Sequence, residues 1–246
     1  MTTTMTTDLN IIIRIEKLLA KAEDPGCTPA ERESFQDKAF ELIERYRIDK
    51  ASIGGHLAAD DVIITGKVGD FNGIYGRVRI QIVTEIADSM DVQIFWAGFK
   101  NTRHLKAYGF RSDVDRVIAL AHRLVLDADA QVKLVANSYD MKDTLRQRRG
   151  FYEGYAWSIG SRLRTARQTA EANAARDGID MVSTALVLVD RKKQVNEKLR
   201  SDNPNLKEAG KLDASGYDGF EHGSVVGSRA DLTNQNAISH RKELGR

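Results

Sequence analysis

Residues 12–49 read IIRIEKLLAKAEDPGCTPAERESFQDKAFELIERYRID, and this stretch decides how the fold begins. Its first half predicts a helix from Asp8, as the N-cap, to about Glu23, because apolar residues recur there at helical spacing. Those apolar positions are Ile12, Ile15, Leu18, Leu19 and Ala22. The turn residues Asp, Pro and Gly at 24–26 then end the helix.

A second helix starts at once, with two signals for its N-terminus. Thr28 and Glu31 have the spacing of a capping box, and Pro29 occupies the first helical position. Its apolar side comprises Phe35, Ala39, Leu42, Ile43 and Tyr46. A short connection between two amphipathic helices favours an antiparallel hairpin, in which each helix covers the apolar side of the other.

Residues 50–60 are predicted to form a linker or a turn after this hairpin. Beyond them, the spacing of the apolar residues is no longer helical throughout. Predicted strands occupy 62–64, 91–97 and 105–110, and the last two are joined by a turn at 98–101. Predicted helices occupy 78–90 and a long segment capped by Ser112, and the glycines of Gly66–Gly76 predict a loop. The fold class is therefore α+β: an N-terminal antiparallel helical hairpin followed by a small mixed α/β domain with long helices.

The last hundred residues are predicted to contain helices, a short strand and a polar tail. One or two helices are predicted over Tyr139–Ala175, and the brief apolar run Ala185–Val189 predicts a short buried strand. From Ser201 onward the chain is polar and rich in glycine, which predicts a loosely ordered C-terminal tail. The predicted divisions are a disordered leader (1–7), the hairpin (8–50), an α+β domain (61–200) and the tail (201–246).

Composition excludes several classes of protein. The single cysteine, Cys27, cannot form an internal disulfide, so we expect a reducing compartment such as the cytoplasm. The longest strictly apolar runs are far shorter than the roughly 20 residues that span a bilayer, so we expect no membrane insertion. The start of the chain lacks both the basic residues and the apolar stretch of a signal peptide.

No arrangement of residues predicts a reaction, a metal site or a cofactor site. The histidines do not pair at a spacing that suits a metal on one helix. Gly66–Gly76 lacks the lysine and the glycine spacing of a phosphate-binding loop, and a flexible turn is the simpler interpretation. Cys27 lies near Asp24 and Glu31, whose charges disfavour a reactive thiolate. We therefore expect no catalytic, metal-binding or cofactor-binding residues and a protein that is not an enzyme.

The most distinctive stretch is the basic and aromatic segment around residues 146–167. Residues 140–200 carry 13 basic and 8 acidic side chains, whereas residues 1–60 carry 8 basic and 11 acidic ones. The candidate partner-binding residues are Arg146, Arg148, Arg149, Tyr152, Trp157, Arg162 and Arg164. Arginine, Tyr and Trp are enriched in the hot spots of protein interfaces. Alternatively, the arginines could contact phosphates while the aromatic rings stack on bases of a nucleic acid. Alternatively Phe151, Tyr155 and Ile159, at i, i+4 and i+8, form the buried face of one helix.

Residues 12–49 resemble the domain of unknown function numbered 2786, found in actinobacteria and their phages. The family pattern is a helix with K-L-L-A-x-A, a turn with Thr, a start rich in Glu, and a helix that ends in Y-x-I-D. In this chain Lys17–Ala22, Thr28, Glu31, Glu33 and Tyr46–Asp49 fit it. Segments similar to RRGFYEGYAWSIGSRLR and GSVVGSRADL often follow this domain.

The resemblance implies a setting and no reaction. In size and layout the chain resembles the recombination directionality factors of phi-C31-type actinophages. Such factors bind a large serine integrase near its coiled-coil region and switch site-specific recombination from integration to excision. The partner implied is thus a phage serine integrase, with DNA contacted indirectly or weakly. Two alternatives stay open: a nucleic-acid-binding early phage protein of replication or host takeover, and an unrecognised hydrolase.

Overall fold

The computed structural model describes residues 2–52, 62–98, 102–135, 140–207 and 218–232. Over these ranges the chain forms seven α-helices and three β-strands, which confirms the predicted α+β class. In chain order they are α1 (Thr2–Ala22), α2 (Pro29–Ser52), β1 (Ile63–Asp70), α3 (Gly76–Ser89), β2 (Gln93–Ala97), β3 (His104–Phe110), α4 (Arg111–Gln131), α5 (Met141–Arg176), α6 (Met181–Asp202) and α7 (Phe220–Ser228). A 3-10 turn, Val132–Leu134, follows α4.

The chain forms two compact units. Unit 1 contains residues 1–60, 162–191 and 231–246, and unit 2 contains residues 61–161 and 192–230. Helices α5 and α6 contribute residues to both units. The units are interleaved along the chain, whereas the sequence predicted consecutive segments.

Helices α1 and α2 form the predicted N-terminal hairpin in unit 1. Ile15 and Leu19 of α1 pack with Ala39 of α2, and all three are buried. Partly buried apolar side chains surround them, namely Ile11, Leu18, Leu42 and Ile43. Helix α1 begins at Thr2, so residues 2–7 are helical where a disordered leader was predicted, and Asp8 lies within the helix instead of capping it.

The predicted capping box at the start of α2 is confirmed atom by atom. The backbone N–H of Thr28 donates to Glu31 Oε2 at 3.0 Å, and the backbone N–H of Glu31 donates to Thr28 Oγ1 at 3.3 Å. The Thr28 hydroxyl donates to the same carboxylate at 2.7 Å. These bonds satisfy amide donors that have no partner within the helix, and Pro29 is the first helical residue as predicted.

The strands of unit 2 form an antiparallel sheet in the order β1-β3-β2. Tyr108 of the central strand lies opposite Thr65 on one side and Gln93 on the other. Helix α4 follows β3 directly, with Phe110 as the N-cap. Ser112, predicted as the cap, is therefore the second residue of the helix.

The predicted glycine loop is wrong over its first five residues, because β1 continues to Asp70. Gly66 lies within the strand, where a Cβ atom would come within 2.7 Å of both Ile118 Cδ1 and Val114 Cγ1 on α4. Glycine in a strand often marks the close approach of another element. Here the glycine makes room for a helix and does not form a turn.

The predicted strand at Ala185–Val189 is also wrong, because these residues lie in the middle of α6. A short apolar run does not distinguish a strand from a helix by its periodicity. The helical residues on either side extend the segment to 22 residues, well beyond the length of a typical strand.

Part of the predicted C-terminal tail is ordered. Helix α7 lies within it, and Ala230 and Leu232 beyond that helix are buried. Residues 208–217 and 233–246 of the tail, 53–61 of the linker and 99–101 of the hairpin turn lie outside the described residues. No helix in the described ranges is long and apolar enough to cross a membrane.

Candidate functional site

The middle of α5 is core, which confirms the structural alternative for its aromatic residues. Phe151, Tyr155 and Ile159 are all fully buried. The rings of Phe151 and Tyr155 stack with their centroids 6.2 Å apart. From residue 150 to residue 160, Trp157 is the one exposed position.

Helix α7 packs on this part of α5 at backbone distance. A Cβ on Gly223 would lie 1.9 Å from the carbonyl oxygen of Phe151, and one on Gly154 would lie 1.9 Å from that of Phe220. Gly219 approaches Gln147 and Gly227 approaches Tyr155 in the same order, so the two helices run in the same direction. The spacing of four between the glycines at 219, 223 and 227 was the signal for this contact, and sequence reasoning assigned it to a loose tail.

Trp157 and Phe220 meet where α7 begins. Their ring centroids are 6.0 Å apart, and 52% of Trp157 is exposed. Half of a large aromatic side chain is therefore held against a ring of α7 while the other half faces outward. Restricting an exposed aromatic side chain in this way lowers the entropy cost of binding a partner.

Arg146 and Arg149 lie on the same face of α5 as Trp157, since about 100° per residue brings positions 146, 149 and 157 within about 80° of one another. Arg146 is half exposed, and its Nη2 lies 2.7 Å from Asp218 Oδ2 and 3.4 Å from Asp143 Oδ1. Arg149 is exposed, whereas Arg148 is partly buried. We call Arg146, Arg149, Trp157, Asp218 and Phe220 the α5–α7 surface, which lies within unit 2.

Tyr152 does not belong to this surface, and its assignment as a partner-binding residue is corrected. It is fully buried, and its hydroxyl donates to Asp129 Oδ1 at 2.5 Å. Arg79 Nε donates to the same oxygen at 2.7 Å, and the Arg79 guanidinium lies over the Tyr152 ring. Burial, followed by the bond to Asp129, raises the pKa of Tyr152 above its ordinary value.

The last two candidate arginines lie in unit 1. The side chain of Arg162 is 9% exposed, and its Nε and Nη2 donate to Asp37 Oδ1 at 3.3 and 2.9 Å. Because it is nearly buried and paired with Asp37, Arg162 is not accessible to a partner. Arg164 is exposed. The seven predicted residues are thus not brought together as one site.

Gln36 makes a contact within unit 1 that the sequence did not predict. Its side chain is buried, and its Nε2 donates to Asp231 Oδ1 at 2.9 Å. Its Oε1 accepts the backbone N–H of Leu232 at 3.4 Å. The hairpin therefore holds residues 231–232, the end of the GSVVGSRADL segment.

Three of the histidines contact different parts of the structure. His104 Nδ1 lies 2.7 Å from Asp70 Oδ1, and this bond lowers the pKa of Asp70. His122 Nε2 donates to the carbonyl oxygen of Val68, and the His222 ring packs edge-on against Phe151. In the part of the chain that the structure describes, no three histidine, cysteine or acidic side chains converge as metal ligands would.

Comparison with known proteins gives one match. Residues 10–50 match the model of the family described as "Protein of unknown function (DUF2786)". The matched residues are α1 from Asn10 onward together with nearly all of α2, and thus most of the hairpin. Neither a curated protein nor a solved structure matches the chain.

Proposed function

We propose that this chain, whose residues 10–50 belong to the DUF2786 family, acts by binding another protein through its α5–α7 surface. The observation that carries the proposal is Trp157, which is half exposed and held against Phe220. Arg149 and Arg146 lie on the same face of α5, eight and eleven residues before it. Tryptophan and arginine are the residue types that most often dominate the energy of protein interfaces.

The pairing of the arginines favours a protein partner over a nucleic acid. Phosphate binding requires cations that exchange bound counterions for phosphates. Arg146 is instead bonded to Asp218, Arg162 to Asp37 and Arg167 to Glu171. Base stacking requires accessible rings, and Phe151, Tyr152 and Tyr155 are buried. A surface with mixed charge around one exposed tryptophan suits a protein interface better.

The resemblance to recombination directionality factors supplies a specific partner, a phage serine integrase bound near its coiled-coil region in the cytoplasm of the bacterial host. On this proposal the chain is not an enzyme, and it shifts the integrase from integration to excision. Moving a two-state equilibrium from 1:99 to 99:1 takes a differential affinity of about 5.5 kcal/mol. A tryptophan hot spot contributes about 2 kcal/mol or more, so a small number of such contacts is sufficient.

Recombination between attL and attR sites by purified integrase tests the proposal. Adding this chain is expected to start excision, and the chain is expected to migrate with integrase when DNA is absent. Trp157→Ala should abolish or strongly reduce both effects. Trp96→Ala is the matched control, because Trp96 is also partly exposed in unit 2 but lies on β2. Unchanged recombination with the wild-type chain would exclude the integrase as the partner.

Charge reversal gives a second test of the same surface. Arg149→Glu should weaken integrase binding while leaving the circular dichroism spectrum and melting temperature unchanged, since Arg149 is exposed. Arg111→Glu reverses an exposed charge elsewhere in unit 2 and should leave binding unchanged. Equal effects of the two variants would show that net charge, and not this surface, governs binding.

A further inference from the structure

Helix α7 is too short to keep its place on α5 by itself. It has nine residues, and a helix of this length is not stable in water without tertiary contacts. Its buried residues are Gly223 and Gly227, whereas Phe220 and Val226 are only partly buried. Little apolar side-chain surface is therefore buried by α7, and its position depends on what holds the chain at its two ends.

The two ends of α7 are held in different ways. Before the helix, Asp218 pairs with Arg146, but these side chains are 58% and 52% exposed, and an exposed ion pair contributes little. After the helix, Ala230 is 5% exposed and Leu232 is 1% exposed. The stronger attachment is therefore at the C-terminal end, where apolar side chains are removed from water.

Gln36 of the hairpin belongs to this C-terminal attachment. Its side chain is buried, its amide nitrogen donates to the Asp231 carboxylate, and its amide oxygen accepts the backbone N–H of Leu232. A buried amide is costly to leave unpaired, so both bonds favour keeping residues 231–232 in place. Ala230 of unit 2 is followed directly by Asp231 of unit 1, so no free segment separates α7 from the attachment.

We propose that Gln36 is a positioning residue for the α5–α7 surface, which rests on that surface being the site that binds a partner. By holding residues 231–232, the hairpin keeps α7 on α5, and α7 keeps Phe220 against Trp157. Phe220 begins α7, and Ser228 ends it about 12 Å further along the helix. The hairpin thus acts on the exposed tryptophan through one short helix.

Release of residues 231–232 should loosen all of α7, because a short helix that loses its tertiary contacts also loses its helical structure. Trp157 then loses its ring contact with Phe220 and samples more rotamers, which raises the entropy cost of binding a partner. Gln36 lies among the residues that match the DUF2786 model. The family domain therefore contributes to partner binding without touching the partner.

The fluorescence of Trp157 tests this coupling in the absence of a partner protein. The chain has two tryptophans, so Trp96→Phe leaves Trp157 as the single emitter. In that background Gln36→Ala should shift the emission to longer wavelength and increase quenching by acrylamide, since Phe220 no longer covers the ring. Asp231→Ala removes one of the same bonds from the other side and should shift the emission in the same direction. The double variant should add little to the effect of Gln36→Ala alone.

Asn173→Ala is the matched control, measured like the others where circular dichroism shows the chain to be folded. Asn173 Nδ2 donates to Glu41 Oε1 at 2.6 Å, so this variant also removes an amide bond to α2 within unit 1. It should leave the Trp157 emission unchanged even where it lowers the melting temperature as much as Gln36→Ala does. Unchanged emission in Gln36→Ala, or an equal shift in Asn173→Ala, would overturn the positioning role.

Integrase binding separates this role from the proposed function. Gln36→Ala should weaken binding several-fold, and Asn173→Ala should leave it unchanged. If the wild-type chain does not bind integrase, the proposed function fails, whereas the emission shift still decides whether Gln36 positions Trp157. A Gln36→Ala chain that shows the shift and yet binds integrase like the wild type would contradict a role of this coupling in partner binding.

Discussion

At the scale of single residues, hydrogen bonds of polar side chains determine where a helix begins and which helices are joined. Thr28 and Glu31 define where α2 begins. Tyr152, Asp129 and Arg79 join α5, α4 and α3 in unit 2 through two hydrogen bonds to one carboxylate oxygen. Both groups therefore give testable consequences for stability.

Thr28→Ala removes the hydroxyl of the capping box. The Glu31 amide loses its acceptor, and we expect a loss of about 1 kcal/mol in the free energy of unfolding. Chemical denaturation of both proteins measures this difference. Thr165→Ala changes an exposed threonine within α5 and should leave stability nearly unchanged. Equal losses would indicate a general effect of removing threonine.

Acid should weaken the same cap. The bonds from Thr28 lower the pKa of Glu31, so the stability that this carboxylate provides is present above its unfolded-state pKa. It is lost as pH falls through the lower pKa of the folded state. The difference between wild type and Thr28→Ala should therefore shrink in strong acid.

Tyr152→Phe tests the buried bond to Asp129. At neutral pH we expect a loss of about 0.5–1.5 kcal/mol, because one hydrogen bond is removed while Arg79 still bonds Asp129. Above the ordinary tyrosine pKa of 10.0, the unfolded chain ionises Tyr152 but the folded chain keeps its proton. Stability of the wild type should thus fall as pH rises above that value, and the fall should be smaller in Tyr152→Phe.

Denaturation at a series of alkaline pH values measures this slope. Tyr108 also has a raised pKa from burial and its bond to Asp202, so part of the slope should remain in Tyr152→Phe. An unchanged slope would mean that Tyr152 ionises normally in the folded protein.

At the scale of elements, the pairing of α5 with α7 depends on glycine because the two backbones touch. Gly223 lies where any side chain would collide with the carbonyl of Phe151. Such a collision lowers the stability of the fold, because it can be relieved only by moving the backbone and not by rotating a side chain.

Gly223→Ala should therefore displace α7 and lower the stability of unit 2 by about 1–3 kcal/mol, within the range for overpacked sites. Thermal unfolding measures the loss, and the fluorescence of Trp157 should change because its contact with Phe220 is broken. Val225→Ala alters a half-exposed residue of the same helix and is the control. A Gly223→Ala protein as stable as the wild type would show that α7 is not held on α5 in this way.

At the scale of the whole molecule, the near balance of charge limits what the chain attracts. The net charge is only +2, and several arginines of the basic segment are bonded to carboxylates. A protein that depends on phosphate contacts loses affinity steeply as salt is added. In the basic segment, Arg146, Arg162 and Arg167 are bonded to carboxylates, which leaves fewer cations there for phosphate contacts.

We therefore expect weak binding to duplex DNA at physiological salt, measured by fluorescence anisotropy on a random-sequence duplex. The slope of log affinity against log salt should correspond to about one or two phosphate contacts. A slope that corresponds to about six or more contacts, with tight binding at low salt, would favour the nucleic-acid-binding alternative. A reaction with a phosphoester or peptide substrate would favour the hydrolase alternative.

The sequence by itself determined the parts of this protein that depend on neighbours along the chain. The capping box at Thr28, the apolar face of α1 and the buried face of Phe151, Tyr155 and Ile159 all follow from helical geometry within one segment. On α2 only Ala39 of the predicted apolar side is buried, and the other buried positions, Gln36, Phe40, Glu44 and Ile48, were not predicted. Spacing along a helix fixes which side chains share a face, and no distant contact is needed to predict it.

Tertiary structure decided what depends on a distant element. Gly66 accommodates α4, and Gly223 accommodates α5. Tyr152 is buried, and its hydroxyl donates to Asp129, 23 residues earlier in the chain. A glycine can form a turn or allow a close contact, and an aromatic residue can be buried or exposed. Which of these occurs depends on the backbone or carboxylate that the fold places beside the residue.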